Sequence, residues 1–102
     1  MDGKTEPAFD ANGYPTQETI EAIEKWPHDD HVGLMEFVRK AWHWPDYFRQ
    51  VRGGRYLLST GGWSGNEELI VALEMNTMFW AMSWQQSKRG GHYEFKLMKV
   101  RA

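Results

Sequence analysis

Cysteine is missing from the chain, which excludes disulfide staples and thiolate metal sites and fits a reducing compartment. Also missing is any apolar run near the roughly 18 residues that suggest a membrane span, and Met1-Asp-Gly-Lys-Thr-Glu has neither the basic nor the apolar region of a signal peptide. Nor is there an excess of one charge. Twelve Lys and Arg stand against fourteen Asp and Glu, so the formal net charge of -2 gives no general pull toward nucleic acid. Any polyanion site must therefore be a local patch. Repeats and low-complexity tracts are absent as well. With 102 residues, 41% of them hydrophobic, the composition is that of one soluble domain with one core. A soluble cytoplasmic protein is the expectation. Aromatics are plentiful: six Trp, four Tyr and five Phe are enough to furnish an interface or a ligand site besides the core.

Residues 1–15 mix Gly, Pro, Asp and Asn without periodicity and read as a flexible arm; 16–102 read as a single α+β domain. Thr16 caps a short helix with Ile20, Ile23 and Trp26 on one face, stopped by Pro27. Asp29 or Asp30 caps a second, in which Leu34, Phe37, Val38, Ala41 and Trp42 recur at helical spacing until Trp44-Pro45 ends it. Phe48–Val51 and Tyr56–Thr60 flank Arg52-Gly-Gly-Arg55, a hairpin signal. One long helix, apolar nearly all round, is expected from about Ser64 to Ser87. Such a helix is central in its domain or shared between subunits. Alternation through Tyr93, Phe95 and Leu97 gives a closing strand. The expected order is α-α-β-β-α-β, with a three-stranded, mainly antiparallel sheet packed on helices and the first strand paired with the third.

That routing places two glycine motifs, LSTGGWSGNE (58–67) and RGGHY (89–93), at opposite poles of the long helix. They then form one site only across two subunits, in a homodimer or higher oligomer. Arg52, Arg55 and Lys88, beside Arg89 and His92, make a basic pole. Capping of the helix dipole explains Lys88 and Arg89, and recognition of phosphate or carboxylate is the functional alternative.

Known loops do not fit the first motif. It has no Lys before Ser or Thr as in a Walker loop, no G-x-G-x-x-G, and Asn66 where a nucleophile elbow needs Gly. Ser64-Gly-Asn-Glu67 does satisfy a capping box, and Glu67 and Glu68 repel phosphate from that helix start. Ser59, Thr60, Trp63 and Asn66 remain as polar and stacking groups, with Arg89 and His92 as the source of positive charge. The His28-Asp-Asp-His31 cluster has no helical i, i+4 pair and no third ligand group, and Asp29 or Asp30 is needed as a cap, so neither metal nor cofactor is expected. No acid, base and nucleophile converge by motif, which disfavours an enzyme.

On Leu58–Glu67, Phe79-Trp80, Trp84, Ser87 and Arg89–Tyr93, with weaker echoes at Leu34-Met35, Val38-Arg39 and Trp42, the chain resembles a family of short, mostly uncharacterised proteins of tailed bacteriophages and prophages. The resemblance covers roughly residues 20–97. It implies a phage accessory protein acting in the host cytoplasm and brings no assigned activity with it. The combined expectation is an anti-defence protein that sequesters a small anionic, nucleotide-like signal at a composite oligomer site. The alternative is an inhibitor that blocks a host defence complex, such as a nuclease or CRISPR effector, by protein–protein contact.

Overall fold

A computed structural model describes residues 6–97. Four α-helices and a four-stranded sheet follow in the order α1 (Gln17–Glu24), α2 (His31–Ala41), β1 (Phe48–Val51), β2 (Arg55–Ser59), α3 (Ser64–Met75), α4 (Thr77–Ser83), β3 (Trp84–Lys88) and β4 (His92–Lys96). Among the described residues no helix is long and apolar enough to cross a membrane.

Local chemistry fixes the first half as expected. The Thr16 hydroxyl accepts from Thr19 N–H at 3.2 Å, and Asp30 accepts from Gly33 N–H at 3.1 Å, so each opens its helix by satisfying an orphan donor. Segment 6–15, read from sequence as part of a flexible arm, is tied to the domain: Ala8 exchanges hydrogen bonds with the Thr19 hydroxyl, and Tyr14 Oη meets Ser64 Oγ at 2.8 Å. Residues 1–5 of that arm, and 98–102, lie outside the described residues.

The expected long helix is three elements. Asn76 breaks it: its N–H goes to Ala72 and Leu73, its Oδ1 caps α4 at Phe79 N–H, and its Nδ2 donates to Ile23 O at 2.9 Å and Trp26 O at 3.3 Å. One buried amide thus ends α3, starts α4 and satisfies the last carbonyls around α1. The chain then reverses, and residues 84–88 become an edge strand rather than a helix end.

The extra turn changes the topology. The sheet has four strands, not three, in the order β1-β2-β4-β3, and every pairing is antiparallel. The expected pairing of the first strand with the last is replaced by β2 with β4, because the added reversal flips the direction in which the last strand runs. Inward residues Phe48, Tyr56, Leu58 and Phe95 pack under the helices against Leu34, Met35, Val38, Leu69, Leu73 and Phe79, all buried. By the two-residue period, Arg49, Arg55, Leu57, Ser59, Lys88, His92, Glu94 and Lys96 point to the other face, which no helix among the described residues covers.

Candidate functional site

The break at Asn76 brings the two glycine motifs together inside one subunit. Ser59 pairs with His92 across β2 and β4, Thr60 N–H donates to Gly91 O at 2.9 Å, and Ser59 Oγ lies 2.7 Å from His92 Nδ1. The expectation that they sit at opposite poles is therefore corrected. The basic pole is divided instead: Lys88, Arg89 and His92 lie at the motif end, while Arg52 and Arg55 lie at the far end of the strands, where Gly54 O accepts from Leu97 N–H.

Most of LSTGGWSGN is an internal clamp. Thr60 and Asn66 are both fully buried. Thr60 Oγ1 accepts from Gly62 N–H, and Thr60 O accepts from Trp63 N–H and from Asn66 Nδ2. Asn66 also embraces His43, accepting from its N–H at 2.9 Å and donating to its carbonyl at 3.1 Å, while Trp42 Nε1 donates to Ser59 O. The Trp42-His43-Trp44 segment is thereby bolted to the loop. Gly61 has φ +65, and a Cβ there would fall 2.5 Å from the Trp44 ring and 2.9 Å from Tyr47. Gly91, at φ +80, has Thr60 Oγ1 where its side chain would be. The glycines thus serve close packing and left-handed backbone rather than a phosphate. The expected capping box is not formed: Trp63 is the N-cap, without a side-chain bond, and the Ser64 hydroxyl goes to Tyr14.

Around the clamp runs a ladder of rings, Tyr14, Trp63, His43, Trp44 and Tyr47, with successive centroids 4.5–5.6 Å apart. Trp63 is half-buried within it. Its outer end is exposed, Trp44 at 41% and Tyr47 at 45%. Trp44 has φ 67, a left-handed conformation unusual for a non-glycine residue and held here by the His43–Asn66 bonds and Pro45.

This aromatic edge borders a groove of about 470 Å³ on the uncovered sheet face. Asp46 and Tyr47 form one wall; Arg49, Leu57, Ser59, Lys88, His92 and Glu94 line the floor with Gln86. Glu94 is engaged, accepting from Gln86 Nε2 at 2.9 Å and Arg55 Nε at 3.2 Å, and the Gln86 bond leads Arg55 in holding its carboxyl below the usual range. Arg49 and Lys88 form no ion pair among the described residues. Of the residues named from sequence, Ser59, His92 and Lys88 reach the groove, Arg89 is exposed on the adjoining turn, and Thr60 and Asn66 support it from beneath. Sequence reading missed Arg49, Asp46 and Tyr47. The alternation Phe48-Arg-Gln-Val51 carried the signal for Arg49, but only the sheet order shows which side is uncovered.

Charge is segregated around this face. Residues 48–59 and 84–97 hold Arg49, Arg52, Arg55, Lys88, Arg89 and Lys96 against Glu94 alone, whereas α1, α3 and α4 hold Glu18, Glu21, Glu24, Glu67, Glu68 and Glu74 and no Lys or Arg. At the loop before α2, Asp30 is used as a cap and as acceptor for Trp26 Nε1, and His31 packs edge-on against Phe79. Among the described residues no group of three or more His, Asp or Glu could hold a metal ion. Comparison with protein-family models, curated proteins and solved structures gives no match to this chain.

Proposed function

We propose that the chain is a binding protein whose groove captures a small anionic, nucleotide-like molecule. The observation that carries this reading is the convergence of Arg49, Lys88, His92 and Ser59 with the Tyr47 ring around one groove of about 470 Å³. Arg and Lys attract a phosphate, Arg offers it a planar fork, and an aromatic wall accepts a base. Because Ser59 and His92 belong to one subunit, capture needs no second chain. Sequestration in the host cytoplasm against a defence signal is the role that the phage-like motifs suggest, and among the described residues the exposed Ser–His pair has no third group orienting it, which favours holding over turnover. Calorimetry against cyclic nucleotides and ADP-ribose-like signals tests the reading. Micromolar or tighter binding that weakens in Arg49→Gln is expected; no binder in any class overturns it.

A second reading rests on the helices. Val71, Met75, Met78 and Met82 are 40–61% exposed and form an apolar stripe beside Glu67, Glu68 and Glu74, a surface suited to a second copy or to a host defence protein. A stoichiometric partner captured by the wild type and lost with Met75→Glu supports it, and unchanged capture removes it.

A further inference from the structure

We infer that the uncovered sheet face is a track for a short single strand of nucleic acid, with its bases stacked at the Trp44–Tyr47 edge and its phosphates led along the strands by Lys88, Arg49 and Lys96. The inference rests on the reading of the groove as a nucleotide site and extends it from one nucleotide to a chain.

Three observations carry it. First, the cations stand on successive rows of the sheet: Lys88 in the Ser59–His92 row, Arg49 in the Leu57–Glu94 row, and Lys96 opposite Arg55, which is itself paired with Glu94. The first and last rows are four residues apart along β2, about 13 Å at about 3.3 Å per residue. One phosphate cannot satisfy all three rows, whereas a linear polyanion meets them in turn. Second, Trp44 and Tyr47 are exposed rings at the end of the track, and the Asn66 clamp fixes the Trp44 backbone in its left-handed state before any ligand arrives. Stacking platforms joined to a positive groove are how sequence-tolerant single-strand binders work, and acidic peptides have no use for the rings. Third, the acidic helices lie on the other side, so the field holds a strand to one face. The face is a sheet floor with no helix standing out of it to enter a duplex groove, which favours a single strand over a duplex.

Fluorescence anisotropy with labelled oligothymidylate and oligouridylate of about ten residues, over a salt series from about 50 mM, tests this directly. Wild type should bind, with log K falling against log salt at a slope of about -2 for three phosphate contacts at about 0.7 each. Arg49→Gln and Lys88→Gln should each remove about 0.7 from that slope. Tyr47→Ala should weaken binding severalfold at unchanged slope, and an equal-length duplex should compete poorly. The thymidine and uridine arms tell DNA from RNA. A mononucleotide titrated in parallel separates the two readings. If UMP or TMP binds and neither oligomer does, the track is wrong and the small-ligand site stands. If oligomers bind with a slope untouched in both charge variants, they bind elsewhere and the track is wrong. If no oligomer binds, the track is wrong, whereas the small-ligand site falls only if the cyclic nucleotides and ADP-ribose-like signals fail to bind as well.

Discussion

In the loop Thr60–Asn66 the side chains of Thr60 and Asn66 turn inward and are completely buried; in the turn Arg89–His92 the polar side chains stay outside. Both stretches are glycine-rich, both adjoin a sheet end, and they touch through the bonds from Thr60 to Gly91 and from Ser59 to His92. One is the frame and the other is part of the surface being framed. A glycine-rich sequence with Ser, Thr and Asn is therefore no indication of a ligand loop until its hydrogen bonds have been traced.

Substitutions on the two sides should separate stability from binding. Asn66→Leu strands the N–H and C=O of His43, and at about 1–3 kcal/mol per unsatisfied group it should lose about 2–4 kcal/mol in urea unfolding. A loss below about 1 kcal/mol would mean that water replaces the clamp. Gly61→Ala meets both a positive φ and two rings, so a loss of about 2–3 kcal/mol is expected, with Trp44 fluorescence shifted as its ring is displaced. On the exposed side, Lys88→Gln should weaken ligand binding about tenfold, equivalent to about 1.4 kcal/mol, with a urea midpoint indistinguishable from wild type. A matching loss of stability would erase the distinction between frame and surface.

Histidine sharpens the same contrast by pH. His31 packs against Phe79, and burial, aided by His28 and opposed by Asp30, lowers its pKa below 6.5. The unfolded chain then binds the proton more readily than the folded one. Stability is full above about pH 6.5 and falls as pH drops from there through the depressed folded value. Urea midpoints at neutral and mildly acidic pH should diverge less in His31→Gln than in wild type. Smallest of all, Ser64→Ala removes the hydroxyl contact with Tyr14 and no cap, so it should change stability by less than about 0.5 kcal/mol; a loss near 1 kcal/mol would restore the capping box.

Helices α1 and α2, their caps at Thr16 and Asp30 and the Gly53-Gly54 hairpin were legible because each rests on residues a few positions apart, whereas α2 stops at Ala41 with Trp42 already extended, ahead of the expected stop at Trp44-Pro45. The break at Asn76 was not, since its amide is worth most where it meets Ile23 O and Trp26 O, about fifty residues away. Apolar residues on every side of 64–83 suggested one central helix. They arise from two shorter helices, with Leu69, Leu73 and Phe79 in the core and Met75, Met78 and Met82 outside. β3 carries no alternating pattern at all, being exposed throughout, so its pairing with β4 decides its form. From that one missed break followed the strand count, the pairing of the last strand and the placing of Arg52 and Arg55 with Lys88. Ser59, His92 and Lys88 were recognised by residue type, but their meeting in one subunit depended on the topology.

The seam between Ser59 and His92 closes a loop of 33 residues. Loop-closure entropy for such a span is about 3 kcal/mol, met only when the β3–β4 hairpin docks on β2. During synthesis the groove has no floor until the last strand has emerged, so under the proposed function a nascent or truncated chain should fail to bind. A ligand held at this seam ties together the early and late parts of the chain. It should raise the stability of the whole fold by mass action and slow fraying of the C-terminal hairpin with it.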